Sequence, residues 1–272
     1  MLHTETCGDG APLVMLHGWG LNLRVFDGLA AVLAQRWRVI RIDLPGHGRS
    51  AWPDALTRDG FADAVREHVP RQAVLCGWSL GGQLALQLAA EAALQVRALV
   101  LLHATPRFQR SADWAFGMPP EVMANFARQL ALDYERTVAD FLSLQVRGSA
   151  DAQQALAALR LALLEHGAAD PRALKFGLEW LAQADLRALC PVLPQPALVV
   201  AGQYDRVTPP QAQRALAAAL HEARLVEIRR AGHAAFLSHP QELQAAVVAF
   251  LGGLRGADDA PLATPIGVRR GH

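Results

Sequence analysis

Six short apolar runs, each leading into a loop rich in glycine, aspartate, histidine or serine, constrain this chain more than any other feature. Leu13–Leu16 leads into Gly18-Trp19-Gly20, Val39–Ile42 into Asp43-Leu44-Pro45-Gly46-His47-Gly48, and Ala73–Leu75 into Cys76-Gly77-Trp78-Ser79-Leu80-Gly81-Gly82. Leu99–Leu102 leads into His103-Ala104-Thr105-Pro106, Ala197–Val200 into Ala201-Gly202-Gln203-Tyr204-Asp205, and Leu225–Ile228 into Ala231-Gly232-His233. Near-continuous apolar strands separated by helical stretches predict a parallel sheet covered on both faces, an α/β fold. Ligands of such sheets bind beyond the carboxyl ends of the strands, where the distinctive residues of this sequence stand. One further short strand fits at Leu2–Cys7. The expectation is about seven strands, with that one antiparallel at an edge.

The alternation stops between Arg107 and Asp185, where apolar residues such as Phe126, Leu130, Val138, Phe141, Leu142 and Leu144 fall at helical spacing. Strands resume after the breaker Cys190-Pro191-Val192-Leu193-Pro194-Gln195-Pro196. The segment reads as an all-helical cap, taken to follow the sixth strand region. The division expected is a core of 1–106 and 186–255, a cap of 107–185 and a mobile tail of 256–272. No internal repeat is apparent.

A net charge of +1 over 272 residues gives no basic surface for nucleic acid. The cap carries eight basic against ten acidic residues, so it is not basic as a whole. Cysteines at 7, 76 and 190 form no disulfide framework and read as free thiols in a reducing compartment. The start MLHTETCGDG lacks a basic and an apolar signal region, and no apolar run approaches a membrane span. A soluble cytoplasmic protein is expected, with no membrane partner.

The pentapeptide Gly77-Trp78-Ser79-Leu80-Gly81 allows a sharp strand-to-helix turn that lifts a hydroxyl above the sheet. A serine hydroxyl needs a base, and the base an orienting acid. Asp205 and His233 stand after later strands, in the chain order serine, aspartate, histidine. Each has a plainer reading: an idle serine in a glycine turn, an aspartate capping Thr208-Pro209-Pro210, a loop histidine. Together they point to nucleophile Ser79, acid Asp205 and base His233. An oxyanion would be held by the N–H groups of Leu80 and Trp19, the latter between two glycines. His17, Asp43 and His47 read as braces of loops, Cys76 as buried and inert, and His103 as a polar residue near the site.

With these motifs assembled, the chain resembles the α/β-hydrolase superfamily and, more narrowly, the BioH family, the pimeloyl-[acyl-carrier protein] methyl ester carboxylesterases of biotin synthesis. The resemblance runs from about Leu13 to Phe250 and rests on Leu16-His17-Gly18-Trp19-Gly20-Leu21-Asn22, Asp43-Leu44-Pro45-Gly46, Gly77–Gly82, Arg136-Thr137-Val138, Phe141-Leu142-Ser143-Leu144-Gln145, and Gly232–Phe236 with Ser238-His239-Pro240. It implies hydrolysis of that methyl ester by a Ser-His-Asp acyl-enzyme mechanism, with no metal or organic cofactor. It implies substrate contacts at Trp19, Ser79, Leu80, Phe141, Leu142, Ser143, Leu144, Gln145 and His233. It also implies an acyl-carrier protein as partner of a monomeric enzyme that takes small esters in vitro, with arginines of the cap holding the acidic carrier. Arg136 stands at one such position, whereas Asp140, Gln153 and Ala157 occupy others, with Arg147 and Arg160 nearby. That departure keeps a broad esterase or C–C bond hydrolase for a free small molecule as the alternative. A non-catalytic binding module on the same fold is the remote one.

Overall fold

A computed structural model of the chain describes residues 1–149 and 151–255. Among the described residues seven strands form one sheet: β1 (Thr4–Cys7), β2 (Pro12–Leu16), β3 (Arg38–Ile42), β4 (Val74–Trp78), β5 (Ala98–Leu102), β6 (Ala197–Gly202) and β7 (Ala223–Ile228). Their spatial order is β1-β3-β2-β4-β5-β6-β7. Only β1 runs antiparallel, paired with β3 at one edge. The helices are α1 (Asp27–Leu33), α2 (Arg58–Arg66), α3 (Leu80–Ala89), α4 (Pro120–Leu132), α5 (Tyr134–Val146), α6 (Ala152–His166), α7 (Pro171–Gln183), α8 (Pro210–Ala219), α9 (Ala235–Ser238) and α10 (Pro240–Arg255).

Strand side chains alternate between faces, and here both faces are covered. Val14 and Leu16 belong to a core with residues of α2, α3 and α8, whereas Leu13 and Met15 belong to a second core with residues of α1 and α10. This double cover explains why β4 and β5 are buried at every position and read as unbroken apolar runs. The strand order reverses around β2, whose neighbours are β3 and β4. The loops after β2 and β4 therefore open beside each other, at the kind of crevice where α/β sheets bind ligands.

Helices α4 to α7 lie in the chain between β5 and β6. The helical insertion was expected after the sixth strand region. It follows the fifth strand instead, because only β1 precedes β2 in this sheet. Side-chain caps start two of these helices. Asp133 accepts the Arg136 N–H at the head of α5, and Asp170 accepts the Arg172 N–H at the head of α7, where Pro171 is the first residue. The division proposed from the sequence would cut the chain at Arg107 and Asp185, which face each other in an isolated bridge. Among the bonds that tie these helices to the core are Trp19 Nε1–H to the Leu174 carbonyl at 2.9 Å, Asn22 Nδ2–H to the Ala162 carbonyl at 2.9 Å, and Trp180 Nε1–H to Gln83 Oε1 at 3.1 Å. The proposed tail, 256–272, lies outside the described residues. Among the described residues no helix is long and apolar enough to cross a membrane.

Candidate active site

Ser79 stands between β4 and α3 with φ 54° and ψ −113°, a left-handed conformation that a non-glycine residue adopts only at a cost of about 1–3 kcal/mol. Its neighbours make the turn possible. A Cβ on Gly77 would meet the Gly81 carbonyl oxygen at 2.3 Å, and one on Gly81 would meet the Leu16 carbonyl oxygen at 2.1 Å. The turn is held by the Ser79 N–H on the Leu102 carbonyl at 3.0 Å and by the Ser79 carbonyl, which accepts from Gly82 N–H at 3.0 Å. Ser79 immediately precedes α3 as its N-cap residue, at the positive end of that helix.

Asp205 follows β6 and His233 follows β7; both are buried. His233 Nδ1–H donates to Asp205 Oδ2 at 2.8 Å, which leaves Nε2 as the ring's free lone pair. That Nε2 is buried and has no hydrogen-bond partner in the structure. Asp205 Oδ1 accepts the backbone N–H groups of Val207 and Thr208, each at 2.9 Å. Oδ2 also receives Gln213 Nε2–H at 3.1 Å and His103 Nδ1–H at 3.2 Å, and lies 2.9 Å from the Thr208 hydroxyl. Burial would raise the pKa of this carboxyl, but attraction to the His233 ring and the donors from His103 and His233 outweigh it, so the group is held far below the usual range. The His233 loop is itself fixed from the helical insertion: its N–H donates to the Gln145 carbonyl at 2.7 Å, and Gly232 N–H donates to Ser149 Oγ at 2.9 Å.

Neither Trp19 N–H nor Leu80 N–H has a hydrogen-bond partner among the described residues. The loop that carries Trp19 is braced by two histidines. His17 Nδ1–H donates to the Gly18 carbonyl at 2.8 Å, and its Nε2 accepts Leu44 N–H at 2.9 Å. His47 Nδ1–H donates to the Pro45 carbonyl at 3.0 Å, and its Nε2 accepts Gly20 N–H at 3.3 Å. A proton on either Nε2 would face an N–H group. Burial, reinforced at His47 by His17, lowers the two pKa values to about 4 for His17 and about 3 for His47. Asp43 accepts Leu23 N–H and Arg49 N–H at 2.8 and 2.9 Å, as a turn brace does. Burial pushes the Cys76 thiol up to about 12, so it stays protonated.

A small apolar cavity of about 60 Å³ reaches Ser79; Trp19, Phe126, Phe141, Leu144 and Leu178 are among its walls. Phe141 and Phe126 meet the Trp19 ring edge-on at 4.9 and 5.4 Å. Phe126, Phe141 and Leu144 also line an outer cleft of about 580 Å³ with Asp140, Arg147 and Gln153. The block Phe141–Gln145 is therefore split by the helix, since five successive residues cover more than one turn. Phe141 and Leu144 face the cavity. Leu142 is buried in the cluster that holds Val146 and Leu159, whereas Ser143 is exposed and lines the outer cleft, its hydroxyl on the Ala139 carbonyl. Gln145 is fully buried, with both amide atoms unpartnered. Arg136, Arg147 and Arg160 are exposed, and Arg136 Nε lies 3.9 Å from Asp140.

Thr208, Gln213 and Ser149 escaped the sequence reading, and His103 was read only as a polar neighbour. Thr208 had a visible signal, standing three residues after the aspartate at the head of a proline-started helix. Gln213 and Ser149 had none, because their partners lie in other elements of the fold.

Residues 11–240 match the family model of the alpha/beta hydrolase fold. The chain is 42% identical over 241 residues to a pimeloyl-[acyl-carrier protein] methyl ester esterase of Nitrosomonas europaea, covering 89% of this chain and 96% of that protein. It is 43% identical over 258 residues to the protein of the same name from Stenotrophomonas maltophilia, covering 94% and 99%. Among solved structures, an esterase from Exiguobacterium antarcticum superposes with a TM-score of 0.84 at 23% identity, covering 92% of this chain and 95% of that one. An enol-lactonase from Burkholderia xenovorans does so with a TM-score of 0.79 at 27% identity, covering 92% and 96%.

Proposed function

The chain belongs to the α/β-hydrolase family and, within it, to the pimeloyl-[acyl-carrier protein] methyl ester esterases, and from that premise we propose that it is a serine carboxylesterase that cleaves this methyl ester to methanol and the carrier-bound acid. The observation that carries the reading is His233, bonded through Nδ1 to Asp205 at 2.8 Å and presenting a buried, unpartnered Nε2, while its backbone carbonyl accepts the indole N–H of Trp78, the residue before the strained Ser79, at 2.8 Å.

In this mechanism Ser79 Oγ attacks the ester carbonyl carbon as its proton passes to His233 Nε2. Asp205 holds the ring in the required tautomer and stabilises the imidazolium. The carbonyl oxygen gains negative charge and is held by the N–H groups of Trp19 and Leu80. The bond to the methoxy oxygen then breaks, and His233 gives its proton to the departing methanol. Water attacks the acyl-enzyme, loses a proton to Nε2, and the Ser79–acyl bond breaks as the proton returns to Oγ. Each oxyanion donor is worth about 10²–10³-fold in rate.

The acyl chain lies along Phe126, Phe141 and Leu144, which are shared by the inner cavity and the outer cleft. An apolar wall suits a run of methylenes, each worth about 0.8 kcal/mol when buried. The carrier meets the cap near Arg136, Arg147 and Arg160, and the enzyme works as a cytoplasmic monomer. A broad esterase for free small esters is the second reading, favoured by the Arg136–Asp140 pair, in which an acidic side chain stands beside the arginine. A fluorophosphonate probe tests the nucleophile: the reading requires a covalent adduct on the peptide containing Ser79, absent in Ser79→Ala. Equal labelling of the variant contradicts it.

A further inference from the structure

His103 ends β5, the strand between β4, which leads to Ser79, and β6, which leads to Asp205. Its φ is 49°, in the left-handed region that few residues with side chains occupy. The ring is fully buried, and both of its nitrogens are committed. Nε2 accepts the Ala235 N–H at 3.3 Å, and Nδ1 lies 3.2 Å from Asp205 Oδ2. An N–H donor on one nitrogen and a carboxylate on the other admit one form, the neutral ring protonated at Nδ1. A ring bound in this way cannot accept the proton of Ser79, so it is not a second base.

Its effect falls on the acid. Asp205 Oδ2 already accepts the Nδ1–H of His233, so two imidazoles donate to one carboxylate oxygen. Each further donor stabilises the carboxylate and weakens it as an acceptor toward the others. We propose that His103 is a positioning residue that, by donating to the oxygen shared with His233, fixes the orientation of Asp205 and limits its pull on the base, and so sets the pH below which the enzyme loses activity.

The surroundings leave few other charges to act. The ionisable groups against His103 are Asp205 and His233. Around the three, Thr208 and Gln213 from the β6–α8 region, Trp78 from β4 and Gln145 from α5 are uncharged. Burial lowers the pKa of His103, although Asp205 opposes this, in keeping with a neutral ring. The His103 ring does not line the cavity at Ser79, so substrate affinity should not depend on it.

The inference rests on the proposed roles of Ser79, Asp205 and His233, and its test separates the two. kcat and KM are measured across pH on a p-nitrophenyl ester for the wild type, His103→Gly, His103→Asn and Ser79→Ala. Glycine suits φ 49° and removes the donor. Asparagine tolerates the same backbone, and its amide nitrogen stands where Nδ1 did. The acid limb of kcat/KM in His103→Gly should move up by about 0.5–1 pH unit, which is about 3–10-fold in rate on that limb. KM should be unchanged, and His103→Asn should restore the wild-type limb. A merely structural role would scale the rate equally at every pH. In parallel, ¹⁵N spectra of the imidazoles in the wild type should show His103 neutral and protonated at Nδ1 from pH 5 to 8. An unmoved acid limb in folded His103→Gly, or a His103 protonated at Nε2 or titrating in that range, overturns the inference. The spectra decide if the glycine variant does not fold. Activity retained by Ser79→Ala would instead overturn the assignment on which it rests.

Discussion

The His233 N–H donates to the Gln145 carbonyl at 2.7 Å, so the loop that carries the proposed base hangs from α5 of the helical insertion. The same helix lines the cavity through Phe141 and Leu144. Wall and base are thus held by one element. The adjacent bond, Gly232 N–H to Ser149 Oγ at 2.9 Å, is the more accessible test of this attachment. Ser149→Ala leaves a buried N–H unpaired, at a cost of about 1–3 kcal/mol. We expect kcat to fall by about 3–30-fold, of the size of a displaced catalytic group, with a lower urea midpoint. A variant with wild-type kcat would show that the base keeps its place without this clamp.

The oxyanion loop is held from the insertion as well. A Cβ on Gly177 of α7 would meet Trp19 Cδ1 at 2.6 Å and Nε1 at 3.1 Å. Gly177→Ala should push the Trp19 ring and displace the proposed N–H donor on the same residue. The loss of one donor sets the upper scale, about 10²–10³-fold, so a fall of about 10–100-fold in kcat is expected, on free and carrier-linked esters alike. A fall confined to KM would place Trp19 in binding alone.

The site's residues were legible in the sequence to unequal depth. The placement of Ser79, Asp205 and His233 could be read because each stands just past its own apolar run, and a parallel sheet brings such ends to one rim. His17, Asp43 and His47 could be read as braces for the same reason. The second donor to Asp205 could not, because the direction of His103 depends on a left-handed backbone that no local pattern announces. The stretch Phe141–Gln145 reads as one lining block, and the helix divides it: Phe141 and Leu144 face the inner cavity, Ser143 joins them at the outer cleft, and Leu142 and Gln145 are buried. The position of the insertion among the strands depended on how many strands precede β2, and a short edge strand leaves little trace in sequence.

The two loop-bracing histidines make stability depend on pH. Their folded-state values, about 4 for His17 and about 3 for His47, lie below the ordinary 6.5. The unfolded chain therefore binds these protons first. The stabilisation is complete above about pH 6.5 and is lost as pH falls toward 4 and 3, by up to about 1.4 kcal/mol per pH unit for each ring. Urea midpoints should be level between pH 7 and 8 and should drop steadily from pH 6 to 4.5. A level midpoint down to pH 4.5 would contradict the neutral, doubly bonded rings.

Exposed Arg136, Arg147 and Arg160 give the carrier protein its footing in this account. Attraction between an acidic carrier and exposed arginines is screened over about 8–10 Å at ordinary salt. kcat/KM on the carrier-linked ester should therefore fall with added salt, more steeply than on a p-nitrophenyl ester, and Arg147→Glu with Arg160→Glu should flatten the difference. Equal salt response on both substrates would remove these arginines from carrier recognition.

The central claim is a serine esterase whose substrate is presented by a carrier protein. Its most direct test is kcat/KM on pimeloyl-[acyl-carrier protein] methyl ester against a short free p-nitrophenyl ester, with Ser79→Ala as the blank. A strong preference for the carrier-linked ester is expected, with no turnover of either substrate by Ser79→Ala. Preference for the free ester, or turnover that survives the loss of Ser79, would contradict it.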